Sequence, residues 1–190
     1  MKGDKSPKIR NFLLGENNMP RFPLPIVPTQ SYHQGGLRFG AKRKKDDGTV
    51  RTHAGCDLLA PVGTEVYAID YGIVLDVPKT PFIPNTKLYS VIIEHANYIV
   101  RYTEVSQNVA DGIYPGATVH EGQLISTLEK NNKGGAMLHF EMYNKDASGY
   151  LSQKNNTTYL YVPSDGIYQR RKDLLDPTNY LDTLRFWTQF

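Results

Sequence analysis

The sequence lacks most of what would place it quickly. It has a single cysteine, Cys56, in 190 residues. That rules out an intramolecular disulfide and a four-cysteine zinc site. No apolar run approaches the roughly 18 residues needed for a membrane-crossing helix. The first residues, MKGDKSPKIRNFLLGENN, contain basic side chains but no apolar stretch, so they do not read as a secretory signal. Charge bias is slight: 22 Lys and Arg against 19 Asp and Glu give +3. That excess suits an anionic partner but does not argue for nucleic acid. There is no internal repeat, and no ten-residue helical pattern separates the β segments described next.

What is present is one domain's length of short β segments. Residues 1–19 are polar and aperiodic and read as a loose N-terminal arm, leaving 20–190 as the domain. The proline-rich 20–28 stretch must be extended and cannot be a central strand, because proline has no N–H for a ladder. Residues 41–52 combine a charge run with an Asp-Gly, which predicts a solvated loop or hairpin turn. Strands are predicted at 64–70, 72–77, 88–95, 97–104, 123–129 and 137–143, from β-branched and aromatic runs bounded by Gly, Pro and Asn. The fold class is therefore mainly β: a single antiparallel domain with loop insertions at 41–52, 79–87 and 146–168. A short helix is expected after residue 171, broken by Pro177.

Two of the five histidines sit where a metal site would use them. His53-Ala-Gly-Cys-Asp57 places an imidazole and a carboxylate four residues apart across a glycine, and both are good Zn²⁺ ligands. In Met137–Met142, strand alternation sends Leu138, Phe140 and Met142 to the core. Met137, His139 and Glu141 then share the other face. Cys56 reads as a small buried hydrophobe, His95 as structural and His120 as exposed.

Taken in order, HAGCDLLAPVGTEV, YIVRYTEV, PGATVHEG and MLHFEMY resemble the lysostaphin-type (LytM-like) zinc endopeptidases of bacterial peptidoglycan. The lead-in Arg38-Phe39-Gly40 and the Asp176-Pro177 ending are similar as well. The resemblance implies the antiparallel β-sheet or sandwich of those peptidases, of duplicated-hybrid-motif type. It also implies Zn²⁺ held by His53, Asp57 and His139, with a fourth position open for catalysis. It implies a peptidoglycan peptide as substrate and action in the periplasm or the extracellular cell wall. With no signal read, two routes stay open: a periplasmic enzyme whose signal has been trimmed, or delivery by a secretion system or by lysis, the route favoured here. The protein is then an antibacterial effector, with an immunity protein or a secretion component as further partners. Neither nucleic-acid binding nor membrane insertion is expected.

The sequence departs from that family at two places. Met137 stands where the family has the first histidine of His-x-His, and a thioether has no proton to give. Glu104 stands where the family ends a Tyr-x-His strand. Three readings follow. Glu104 acts as general base, with Tyr102 on the same strand face. Or the domain is a catalytically degenerate, zinc-containing module that binds peptidoglycan. Or another residue, such as Glu141, Tyr102 or His33, fills the gap. His33, Met137 and Glu141 are the expected substrate contacts, and Pro81, Phe82 and Pro84 could wall a peptide groove.

Overall fold

The computed structural model describes residues 20–44, 48, 50–152 and 168–187. The N-terminal arm read for residues 1–19 lies outside them, as does most of the expected 146–168 loop. The order is β1 (Lys42–Lys44), β2 (Val50–Thr52), β3 (Cys56–Leu59), β4 (Glu65–Tyr67), β5 (Gly72–Asp76), β6 (Tyr89–His95), β7 (Ile99–Val105), β8 (Thr118–Val119), β9 (Leu124–Thr127), β10 (Met137–Tyr143), β11 (Leu174–Leu175) and α1 (Thr178–Thr183). The architecture is mainly antiparallel β, as the strand spacing predicts.

The principal sheet runs β11-β10-β7-β6-β5-β8. Strand β3 pairs with the first half of β10, and β11 with its last two residues. Two smaller antiparallel pairs, β1–β2 and β4–β9, complete the described strands. The 41–52 charge run therefore forms a hairpin, not a solvated loop.

Alternation explains which face of the sheet is greasy. Leu138, Phe140 and Met142 of β10 join Cys56 and Leu58 of β3 in the main core. Each fully buried Leu or Phe of this kind contributes about 1.5–3 kcal/mol of transfer free energy. The proline-rich segment forms no central strand, as expected, but it bends over residues 23–26 and sends Phe22 and Leu24, both 0% exposed, into that core. Pro177 does not break the C-terminal helix. It begins it, at the cap position, where its fixed φ suits a helix start and a missing N–H costs nothing. Leu181 of that helix seals the core.

Candidate metal centre

The centre is built from two strands in register. Asp57 of β3 lies directly opposite His139 of β10, so both side chains leave the same face of the sheet. His53 reaches them from just before β3. That approach depends on Gly55. A Cβ there would lie 2.3 Å from the Phe140 carbonyl oxygen and 3.1 Å from the His139 ring. The two segments can close on one another only because no side chain intervenes.

Three donor atoms converge as a result. His53 Nε2 lies 2.9 Å from Asp57 Oδ1. His139 Nδ1 lies 2.8 Å from that same oxygen, and the two ring nitrogens are 3.0 Å apart. All three residues are buried, and their donor atoms could hold a metal ion.

The outer nitrogens decide what can sit between them. His53 Nδ1 is 2.8 Å from the carbonyl of Arg38, which only accepts. That nitrogen must carry the proton, so Nε2 presents a bare lone pair. His139 Nε2 is 2.8 Å from Glu141 Oε1. Burial alone would raise the Glu141 carboxyl, but the Arg101 and Arg170 charges hold it well below its ordinary range. The carboxylate accepts a hydrogen bond from Nε2–H, and Nδ1 also points inward with its lone pair.

Two lone pairs and a carboxylate oxygen therefore face one point, and only a cation reconciles them. A proton on His139 is one such cation. Burial opposes it, but the bonds to Asp57 and Glu141 lift that imidazole to about 9. A divalent metal ion is the other. The carboxylate–histidine–metal relay from Glu141 through His139 is a recurrent support for bound metals. The residues present fit a zinc ion.

Behind this centre lies a charge network that the motif reading did not anticipate. Arg101 of β7 is directly opposite Glu141. Its Nε donates to Glu141 Oε2 at 2.9 Å, and its Nη2 adds a second bond. Arg170 Nε and Tyr143 Oη donate to the same carboxylate at 2.8 and 2.6 Å. Phe82 stacks on His139 with ring centroids 5.9 Å apart, and the Arg101 guanidinium lies 4.9 Å from the Phe82 ring centroid. Arg43 of the hairpin donates to Asp57 Oδ2 at 2.6 Å. Burial would raise the Asp57 carboxyl, but the facing His139 and His53 imidazoles outweigh it and keep it ionised.

Several expected site residues are placed differently. Glu141, expected among the substrate contacts, is 0% exposed and enclosed by its cations. Tyr102, expected beside the metal, points into the core. Its hydroxyl accepts from the Ile69 N–H at 3.1 Å, and its ring meets Phe140 edge-on. His33 lies 3.0 Å from Asp182 of α1 and stacks on Tyr32. That ties it to the helix covering the core, away from the centre. Met137 is half-buried on the His139 face, opposite Leu59 of β3.

Glu104 does reach the centre's neighbourhood, though not by simple alternation. Tyr89 pairs with Val105, but the next residue, Ser90, pairs with Thr103. Glu104 is thus the extra residue of a β-bulge, with φ 68. The bulge returns Val105 to the core and turns Glu104 away from the Tyr102 face. Its carboxyl is 5% exposed, and Oε2 has no hydrogen-bond partner among the described residues. Burial pushes it up to about 7, with the charges of His139, Asp57 and Arg43 also acting on it. Cys56 is buried as expected, and burial raises its thiol to about 11. His95 is buried between the Tyr71 carbonyl and the Tyr102 hydroxyl, and His120 is exposed.

An antiparallel β domain with a buried His/Asp/His cluster fit for a metal ion is the class of protein that fold and site define. Residues 51–151 match peptidase family M23, and the chain belongs to that family. A 96-residue stretch is 33% identical to Peptidoglycan DD-endopeptidase ShyC of Vibrio cholerae. It covers 50% of this chain but only 21% of that relative. The fold is similar to the catalytic domain of the antimicrobial peptidase lysostaphin from Staphylococcus simulans, with a TM-score of 0.51 at 17% identity over 77% of this chain and 90% of that one. It is also similar to cbpa from L. salivarius REN, with a TM-score of 0.52 at 17% identity over 87% and 95% of the two chains.

Proposed function

We propose that this protein is a zinc-dependent endopeptidase that cleaves the peptide stem or cross-link of bacterial peptidoglycan. One observation carries the reading. His53, Asp57 and His139 bring three potential ligand atoms to one point, with both outer ring nitrogens tied to acceptors. The relative described as a peptidoglycan DD-endopeptidase supports the substrate class.

Zinc held by these three residues would supply Lewis acidity for the attack of water on a peptide carbonyl. The chain's own groups do the rest. Glu141 fixes the His139 tautomer, and Arg43 fixes the second oxygen of Asp57. Glu104 takes a proton at its unpartnered Oε2 and returns it to the departing amine. In the metal-free chain burial lifts it to about 7, and a nearby cation would draw it back toward the ionised form that accepts a proton. Phe82 forms a wall over His139.

The purified chain should then carry about one zinc, the single centre described here, and release peptides from isolated peptidoglycan. Glu104→Gln should abolish release while leaving zinc bound. Full activity in that variant overturns its role as base. A degenerate binding module is the second reading, favoured by the thioether of Met137 on the His139 face. It predicts co-sedimentation with peptidoglycan and no cleavage product at any metal concentration. Action at the cell wall and a role as delivered antibacterial effector belong to the same proposal. Expression with an exporting leader should lyse the host, and expression without one should not. Lysis prevented by a co-expressed neighbouring protein would identify an immunity partner.

A further inference from the structure

The β1–β2 hairpin sets Arg43 directly opposite Arg51. Like charges at facing positions of a ladder destabilise it. The flanking Lys42, Lys44 and Val50 are exposed, whereas both arginines are half-buried and turned toward the domain. Arg43 satisfies Asp57 through one Nη atom only. Its Nε is buried with no partner among the described residues. Burial is the main opponent of the Arg51 charge, the charges of Arg170 and Arg43 add to it, and those of Asp57 and Glu141 offset it. Glu141 is already claimed by Arg101 and Arg170. Guanidinium therefore outnumbers ionised carboxylate on this side of the centre, even before a cation enters it.

A concave seat adjoins Arg43, the member of the pair that also holds Asp57. An open cleft of about 550 Å³ is lined by Gly35, Gly36, Arg38, Gly40, Ala41 and Lys42. A Cβ on Gly36 would lie 3.8 Å from Arg43 Nη1, so the Arg43 guanidinium borders this cleft. Its glycine edge lets a ligand's backbone come close, and planar guanidinium forks match carboxylate geometry.

We propose that Arg43 and Arg51 form a carboxylate-binding subsite beside the metal centre, so that the preferred peptide substrate carries a free carboxylate close to the bond that is cut. The proposal rests on the peptide-hydrolysis reading for its substrate class. The carboxylate can be a chain terminus or an acidic side chain, and both present the same two oxygens.

The test is calorimetric titration of the zinc-loaded full chain with a synthetic stem pentapeptide bearing both kinds of carboxylate. Two derivatives are titrated alongside, one amidated at the terminus and one at the side chain. Products are followed by mass spectrometry in the same samples. The wild type should bind the parent peptide at least tenfold more tightly than one of the derivatives, which identifies the source. Arg51→Gln should erase that preference, and Arg51→Lys should keep part of it and serves as the second variant if the first fails to fold. Equal affinity for all three peptides, or no measurable binding of the parent peptide, overturns the subsite whatever the variants do. A preference unchanged in Arg51→Gln overturns the assignment to this pair. Carboxylate-dependent binding with no cleavage product leaves the subsite standing and removes the hydrolase reading.

Discussion

Glu104 carries the most concentrated chemistry of any single residue. It occupies a left-handed backbone conformation that side chains rarely adopt, at a cost of about 1 kcal/mol or more. Its Oε2 is buried with no hydrogen-bond partner among the described residues. In metal-free protein, the folded state holds this proton to about pH 7, against an ordinary value of 4.5. Between those values the folded state binds more protons than the unfolded state, so stability falls as pH rises through the window. Glu104→Gln removes that loss. The chelated variant should be more stable than chelated wild type above pH 7, by roughly 3 kcal/mol, and indistinguishable from it below about pH 4.5. Denaturant melts across pH check this, and a gap that is constant with pH refutes it. Gly55 is the complementary case. Gly55→Ala must displace β10 at the Phe140 carbonyl. It should cost about 1–3 kcal/mol by overpacking and weaken zinc binding, read by competition with a colorimetric chelator.

At the level of strands, β10 and its neighbours show what period-two reading can and cannot deliver. Met137–Tyr143 was legible because Leu138, Phe140 and Met142 alternate cleanly with His139 and Glu141, and β3 merely supplies Asp57 in register. Alternation failed on β7, where it set Tyr102 and Glu104 on one face. A bulge inserts one residue without any local sequence mark, since glutamate at φ 68 is not a residue type that announces it. Arg43 was missed because a charge run around Asp-Gly ordinarily faces water. Arg101 left a usable signal: a lone cation in an apolar strand, facing the lone anion Glu141 of another. Glu141→Gln tests that link. The amide keeps the shape but cannot hold the His139 proton as firmly, so zinc affinity should fall by about 10–100-fold with strand pairing intact by circular dichroism.

For the molecule as a whole, the packed sheet and the centre are coupled thermodynamically. A metal that binds only the folded form adds about 4 kcal/mol of stability at a free concentration a thousandfold above Kd. For a chain of this size that corresponds to roughly 10 °C in Tm. Chelation should lower the melting temperature by that order, and readdition of zinc should restore it. A melting temperature indifferent to chelator would mean that the cluster holds no ion in solution.

The pairing of Asp57 with His139 spans 82 positions of sequence. An ion shared by the two therefore acts as a removable crosslink that ties off nearly half the polypeptide as a ring. Because such an ion leaves when the chain unfolds, it adds its binding free energy to the folded state instead of restricting the unfolded one. Unlike a disulfide, it needs no oxidant and forms wherever zinc is available. In a chain with one buried thiol, the join between these two strands is thus set by metal activity and not by redox state.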